Sequence, residues 1–246
     1  MNPHAMAPYG AALWAYFKGD TGAQVLVRRD DGEESPLPIS VFFREPAQFS
    51  RIENAALARC TGRVLDAGAG TGVHSLILQE KGLQVTALDV NPAAVEIMRR
   101  RGVREARCVD LFDFDEHGFD TLLLMGHGIG MVETIGGLDR FLARAQQLLA
   151  QDGRILLDSL DVRVTANPVN LAYHRANQQA GRYIGEIRMQ FEFQGQRGTA
   201  CGWLHVDVGT LQEHAARAGW QCEVLIAEED GNYLAELHAH HQGEAL

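Results

Sequence analysis

The 246-residue chain is 46% hydrophobic and long enough to bury a core of its own. It contains no run of about 18 apolar residues, so the sequence predicts no membrane-spanning helix. Its 22 basic and 32 acidic residues leave a net charge of −10 without a visible basic patch, which argues against nucleic acid as a substrate. The four cysteines form no CxxC pair and the first residues lack a secretory pattern, so we expect no metal site and a single catalytic unit in the cytoplasm.

The amino-terminal quarter predicts a helix, a hairpin and a second helix. Apolar residues at helical spacing over residues 9–17 predict an amphipathic helix. Residues 24–29 and 39–43 predict the two strands of a hairpin with a long loop. Pro46 and Gly62 then mark the limits of the second helix. We expect this region to lie on the main body as a cover.

From residue 63 onward, short apolar runs alternate with helical segments. This alternation is typical of βαβ units and predicts a doubly wound parallel sheet. The predicted strands are residues 63–67, 83–89, 106–109, 120–125 and 154–159, and the predicted helices are residues 71–81, 91–101 and 138–150.

The pattern breaks after residue 160. A polar stretch without a predicted element is followed by apolar and polar residues in alternation over 183–193, which predicts an antiparallel strand with a partner at 200–206. A helix at 210–218 and a hairpin around Asp230-Gly231 complete the chain.

A glycine-rich turn joins the first parallel strand to its helix, where open α/β sheets bind ligands. The segment Val64 to Gly72 reads VLDAGAGTG. A dinucleotide fingerprint needs glycine or alanine at position 73, which is Val73. Asp66 would also repel a pyrophosphate and attract an ammonium group. The turn therefore favours a ligand with a positively charged amino-acid group.

Three acidic residues lie at the ends of three successive strands, namely Asp66, Asp89 and Asp110. Asp89 comes 21 residues after Gly68, the spacing of an acid that binds ribose hydroxyls. Asp110 is placed to accept from an adenine amino group, with Leu111 covering the ring. Each acid alone fits a helix cap or a solvated loop, but the set predicts a site for S-adenosylmethionine (SAM).

These motifs, together with the strand at 119–125, resemble the class I SAM-dependent methyltransferases over residues 62–160 and 209–237. The resemblance implies a Rossmann-like α/β fold with a seven-stranded, mostly parallel sheet whose last strand is antiparallel, plus an amino-terminal helix and hairpin extension and a β-hairpin insertion. The implied divisions are residues 1–61 (cover), 62–161 (SAM-binding core), 162–207 (insertion that covers the substrate) and 208–246 (end of the core and tail). The implied cofactor-binding residues are Asp66, Ala67, Gly68, Gly70, Gly72, Asp89, Val90, Asp110, Leu111 and Met125.

His127 is the candidate catalytic residue. It follows the fourth strand between two glycines, and a histidine with its ordinary pKa near 6.5 suits a general base. The alternative is that His127 only packs over the cofactor or bonds a backbone group. Relatives with a similar stretch often carry Asn-Gly-Ile-Gly, and an amide cannot act as a base, so a positioning role stays open.

Other polar and aromatic residues have both a functional and a structural interpretation. Arg44 suits a carboxylate clamp or a surface ion pair. The remaining residues are candidates for the pocket or its entrance, or else structural: His74, Glu133, Asp158, Tyr9, Trp14 and Tyr16.

The sequence thus predicts methyl transfer from SAM to an oxygen or nitrogen atom of a small molecule. The same chemistry on a protein or RNA acceptor is an alternative, as is a sensor that binds SAM without turnover. A nicotinamide-dependent oxidoreductase is disfavoured by Val73 and Asp66. The oligomeric state is left open.

Overall fold

The computed structural model describes residues 2–239, which form seven α-helices and twelve strands. The helices are α1 (Ala7–Phe17), α2 (Arg51–Arg59), α3 (Val73–Glu80), α4 (Pro92–Arg101), α5 (Ile135–Leu148), α6 (Pro168–Gln179) and α7 (Val208–Arg217). The strands are β1 (Gln24–Arg29), β2 (Glu34–Pro38), β3 (Arg63–Ala67), β4 (Gln84–Asp89), β5 (Ala106–Cys108), β6 (Phe119–Leu124), β7 (Leu149–Leu160), β8 (Glu186–Phe193), β9 (Gln196–Arg197), β10 (Cys201–Leu204), β11 (Trp220–Ala227) and β12 (Asn232–Ala239).

Seven strands form the main sheet in the order β11-β12-β7-β6-β3-β4-β5. Strands β3 to β7 pair in parallel, and β12 runs antiparallel to both β7 and β11. The Rossmann-like mixed sheet with an antiparallel last strand is therefore confirmed.

Helices cover both faces of this sheet, and alternate strand residues supply the two cores. On one face Leu65 and Leu122 pack with Phe141 of α5. On the other, Val64 and Leu123 pack with apolar residues of α2 and α3. Burial on both sides explains why these strands are nearly continuous apolar runs.

A second sheet covers one end of the main sheet. Its strand order is β10-β8-β1-β2, and β9 also pairs with β8. Strand β1 pairs antiparallel with β8, with Val27 opposite Phe191. The amino-terminal hairpin and the insertion, which the sequence suggested as two separate hairpins, thus form one sheet. We call it the cover sheet.

Two local predictions were wrong in the regions that flank the core. The second hairpin strand was expected at 39–43 but lies at Glu34–Pro38, followed by a 3₁₀ turn at Ile39–Phe42. Strand β2 tolerates its two prolines because it is an edge strand. Helix α6 lies within the stretch that predicted no element. Its Asn167 side chain caps Val169 N–H, and the helix buries only Tyr173 and Asn177, so its apolar period is weak.

The carboxyl-terminal hairpin brings a tight turn next to the end of β7. Gly231 has φ of 94°, and a Cβ there would come 2.8 Å from the Asp161 carbonyl oxygen, so the turn needs glycine. Asn232, the first residue of β12, lies opposite Leu160. The predicted tail beyond residue 239 lies outside the described residues. Within residues 2–239 we find no helix with the length and apolar content to span a bilayer.

Candidate active site

A cavity of about 500 Å³ lies between the carboxyl ends of the parallel strands and the cover sheet. This volume is in the range of sites for cofactors and small ligands. Eight of the predicted site residues line it: Gly68, Gly70, Asp89, Val90, Asp110, Leu111, Met125 and His127.

The glycine turn forms the floor of the cavity. Gly68, Gly70 and Gly72 all have positive φ, a conformation that glycine adopts without strain. The N–H groups of Gly68 and Ala69 both donate to the Leu88 carbonyl at 2.9 Å, which ties the turn to β4. A Cβ at Gly70 would meet only the Tyr9 hydroxyl, at 3.9 Å, so the turn is open to a ligand there.

The Asp89 carboxylate is held at the end of β4 by two backbone donors. Gly70 N–H donates to Oδ2 at 2.9 Å, and Asn91 N–H donates to Oδ1 at 2.8 Å. Burial raises the pKa of Asp89 to about 6, although these two hydrogen bonds act in the opposite direction. Each oxygen keeps a further lone pair, so a fixed carboxylate can also accept from ligand hydroxyls.

The next strand end supplies a polar group beside an apolar wall. Asp110 lies after β5, and its Oδ1 accepts from Phe112 N–H at 3.0 Å. Leu111, Phe112 and Val109 line the cavity around it. Such a slot suits a flat apolar ring with a polar edge, as adenine has.

Three predicted cofactor-binding residues are absent from the cavity wall: Asp66, Ala67 and Gly72. The Asp66 carboxyl group is buried beneath the turn, where Ser75 Oγ of α3 donates to it at 2.5 Å, and burial raises its pKa. A Cβ at Gly72 would contact Met98 and Val103, so this glycine serves helix packing. The expectation that Asp66 points into the pocket is thus at odds with its position.

His127 lies after β6 with a left-handed backbone, φ 57° and ψ 33°. Its N–H donates to Asp158 Oδ1 at 3.0 Å, and its Nε2 lies 2.8 Å from Asn232 Oδ1. Its ring meets that of His205 edge-on, with centroids 5.3 Å apart. Burial lowers the pKa of His205 to about 3, so that ring is neutral near pH 7.

Arg44 and His74 line the cavity but share an acidic partner, Glu53 of α2. The Arg44 guanidinium binds the Glu53 carboxylate through both oxygens, at 2.7 and 3.0 Å, and His74 Nε2 lies 2.9 Å from Oε1. Arg44 therefore forms an ion pair, but its partner is buried and Arg44 itself lies in the cavity wall, so this is not the expected surface pair.

The other candidates divide between the site and its surroundings. Tyr9 lines the cavity, and Asp158 lies directly behind His127. Trp14 and Tyr16 lie outside the cavity wall and pack against Phe17 and Phe43, respectively. Glu133 borders a separate shallow pocket next to α5.

Sequence reasoning expected covers at residues 1–61 and 162–207 but did not identify the residues that the cover sheet contributes to the cavity wall. This part of the wall is apolar, carries two aromatic rings, and consists of Val27, Leu37, Met189, Phe191 and Trp203, with His205 at its edge. The alternation of apolar and polar residues in β8 was the available signal, because it shows that one face of this strand has to be buried against another part of the protein.

A family model described as a methyltransferase domain matches residues 65–157. The chain is 28% identical over 206 residues to a demethylmenaquinone methyltransferase of Tropheryma whipplei strain Twist, covering 72% of this chain and 83% of that protein. It is similar to a SAM-dependent methyltransferase from Bacteroides fragilis, solved in complex with S-adenosyl-L-homocysteine, with a TM-score of 0.84, 33% identity and 97% of each chain covered.

More distant structures share the fold alone. A SAM-bound amino pentose methyltransferase from Micromonospora echinaspora has a TM-score of 0.50 and 17% identity, covering 76% of this chain and 86% of that one. In this chain the open glycine turn, the fixed Asp89 carboxylate and the slot beside Asp110 all line the same cavity.

Proposed function

The chain belongs to the class I SAM-dependent methyltransferases, and from this premise we propose that it methylates an oxygen or nitrogen atom of a small neutral molecule with an apolar body. The observation that carries the proposal is the apolar wall of the cover sheet, formed by Val27, Leu37, Met189, Phe191 and Trp203. A charged acceptor group would lose its hydration there without a partner.

In this proposal the turn and the strand ends hold SAM. Gly68 and Gly70 admit the methionine part, Asp89 accepts from the ribose hydroxyls beside Val90, and Asp110 and Leu111 bind the adenine. Met125, at the start of the loop that carries His127, contacts the cofactor from the acceptor side. Asp66 acts indirectly, since its carboxyl group lies beneath the turn.

Methyl transfer forms a bond between the acceptor atom and the methyl carbon and breaks the sulfur–carbon bond, whose electron pair neutralises the sulfonium. An O–H or N–H acceptor also releases a proton. His127 lines the cavity and takes this proton as a general base in our proposal. Residues 1–61 and 162–207 exclude water by closing over the cavity, and such positioning in a dry site lowers the barrier.

A labelled-methyl assay tests the acceptor class. The protein is incubated with methyl-labelled SAM and cell extract separated by size into small-molecule and macromolecular fractions. We expect protein-dependent label in small, apolar products. Label confined to protein or RNA would contradict the proposal. A matched reaction with Trp203→Ala, which opens the apolar wall, should lose acceptor turnover and retain SAM binding.

A further inference from the structure

Asn232 contacts His127 although 105 positions separate the two residues in the chain. It opens β12 at the carboxyl-terminal hairpin turn, next to the end of β7. Its Oδ1 lies 2.8 Å from His127 Nε2. The carboxyl-terminal hairpin, although distant in sequence, thus places a side chain against the candidate base.

The orientation of the Asn232 amide is fixed from the other side. Its Nδ2 donates to Asp230 Oδ2 at 2.7 Å, and its backbone N–H donates to Asp230 Oδ1 at 3.0 Å. Because Asp230 takes the NH₂ group, the amide oxygen is the atom that faces His127. An amide oxygen only accepts hydrogen bonds, so His127 Nε2 has to carry the hydrogen.

Asp158 favours the same arrangement. Its Oδ2 lies 4.0 Å from His127 Nε2, so two oxygen atoms surround this nitrogen. Its Oδ1 accepts from the backbone N–H of His127 and fixes the left-handed conformation. A non-glycine residue held in this conformation by its surroundings is typical of functional sites.

We propose that Asn232, held by Asp230, is a positioning residue that keeps neutral His127 in the Nε2–H tautomer and leaves Nδ1 to accept the proton. The inference rests on the proposed function, in which His127 is the base. The acceptor's proton passes to Nδ1 while the electron pair of that O–H or N–H bond forms the new bond to the methyl carbon. The resulting imidazolium keeps its Nε2–H bond to Asn232. In a Ser-His-Asp triad a carboxylate orients the imidazole by the same principle, but it holds Nδ1–H and leaves Nε2 as the base.

The first test reads the tautomer directly and needs no acceptor. In ¹⁵N–¹H spectra of the histidine rings, wild-type His127 should show its hydrogen on Nε2. Asn232→Ala should give a mixture of tautomers, whereas Asn54→Ala, on the exposed side of α2, should leave the spectrum unchanged. A hydrogen on Nδ1 in the wild type, or an unchanged tautomer in Asn232→Ala, would overturn the inference.

The second test uses labelled SAM and the small-molecule fraction of cell extract. In Asn232→Ala, part of His127 should carry its hydrogen on Nδ1 and be unable to accept the proton there. We therefore expect kcat to fall at least about tenfold, with SAM affinity unchanged. Asn232→Asp preserves the shape and adds a carboxylate beside His127, in addition to Asp158, Asp230 and neutral His205. The acidic limb of its pH–rate profile should therefore move to higher pH. Unchanged kcat and pH profile in both variants would contradict the positioning role.

The two tests separate this inference from the proposed function. A wild-type protein that transfers no label to small molecules refutes the proposed function, whatever the tautomer of His127. A wild-type protein that does transfer label but shows the Nδ1–H tautomer refutes only the role of Asn232.

Discussion

Asp89 lies in the cavity wall with each carboxylate oxygen accepting one backbone N–H, and burial raises its pKa to about 6. The ionised form accepts more hydrogen bonds from ribose hydroxyls than the protonated form, so SAM binding should release a proton near this pH. Affinity for SAM should rise with pH up to about 6 and then level off. In Asp89→Asn the rise should disappear, and in Asp115→Asn, an exposed control, it should persist. Calorimetric titrations on both sides of pH 6 measure this, and a flat wild-type profile would count against the ribose contact.

His127 can be replaced without disturbing its backbone, because asparagine also tolerates the left-handed conformation. His127→Asn should lower methyl transfer by at least about 100-fold, the lower end for a general base, and leave SAM affinity unchanged. His117→Asn, in the exposed loop before β6, is the matched control. Single-turnover rates with labelled SAM measure the effect. Full activity in His127→Asn would show that the acceptor loses its proton by another route.

For single residues, the sequence was sufficient where the residue lies at a strand end or a few positions beyond it. Asp89, Asp110 and His127 line the cavity because strand ends meet at one edge of the sheet. Asp66 was misjudged because its backbone position did not reveal that its side chain turns beneath the glycines to Ser75. Asn232 was not predicted as a site residue, since its contact depends on how a distant hairpin packs.

The 3₁₀ turn at Gly128–Val132 packs against strand β10 of the cover sheet, and Gly130 lies directly beneath Trp203. A Cβ at Gly130 would overlap the Trp203 indole, whereas a Cβ at Gly136 would meet only Thr134 Oγ1, at 3.9 Å. Gly130→Ala should therefore displace Trp203 from the acceptor side and reduce acceptor turnover several-fold, with SAM affinity retained. Gly136→Ala should behave like wild type. The measured quantities are KM and kcat for the acceptor. Equal values in the two variants would show that Trp203 does not take part in acceptor binding.

Among the elements, hydrophobic periodicity located the βα units of the core within a few residues. It failed where a partner strand or an edge position decided the structure. Strand β8 was predicted, but its pairing with β1 depends on a register that alternation alone does not specify. Helix α6 packs few apolar residues against the body, and its Asn167-Pro168 start was the available signal.

For the molecule as a whole, Glu53 links the amino-terminal region to the core through Arg44 and His74. Burial of the Glu53 carboxylate disfavours its charge and would raise its pKa. Burial is outweighed by hydrogen bonds from His74 and from Ser50 N–H, together with the charge of Arg44, and the pKa of Glu53 falls from 4.5 to about 2. An acid with a lowered pKa stabilises the fold above its ordinary pKa, and this contribution is lost as pH falls from about 4.5 towards 2.

Glu53→Gln should therefore lower the free energy of unfolding by about 3 kcal/mol at neutral pH, as expected when a buried pair loses one partner. The difference from wild type should shrink as pH falls below 4.5. Denaturant unfolding at several pH values measures it, with Glu96→Gln as the control, because Glu96 of α4 is an acid whose ion pair with Arg100 is solvent-accessible. A difference that is independent of pH would indicate lost packing and not a lost charge.

In the fold as a whole, the parallel strands bring Asp89, Asp110 and His127 to one edge of the main sheet, and the cover sheet lies over that edge. Calorimetric titration of wild type and Asp89→Ala with SAM tests most directly whether this edge binds the cofactor. We predict saturable one-to-one binding by the wild type and an affinity lower by about 1–3 kcal/mol in the variant, the contribution of buried hydrogen bonds to a charged group. Equal affinity in the two proteins, or no saturation in well-folded wild type, would contradict it.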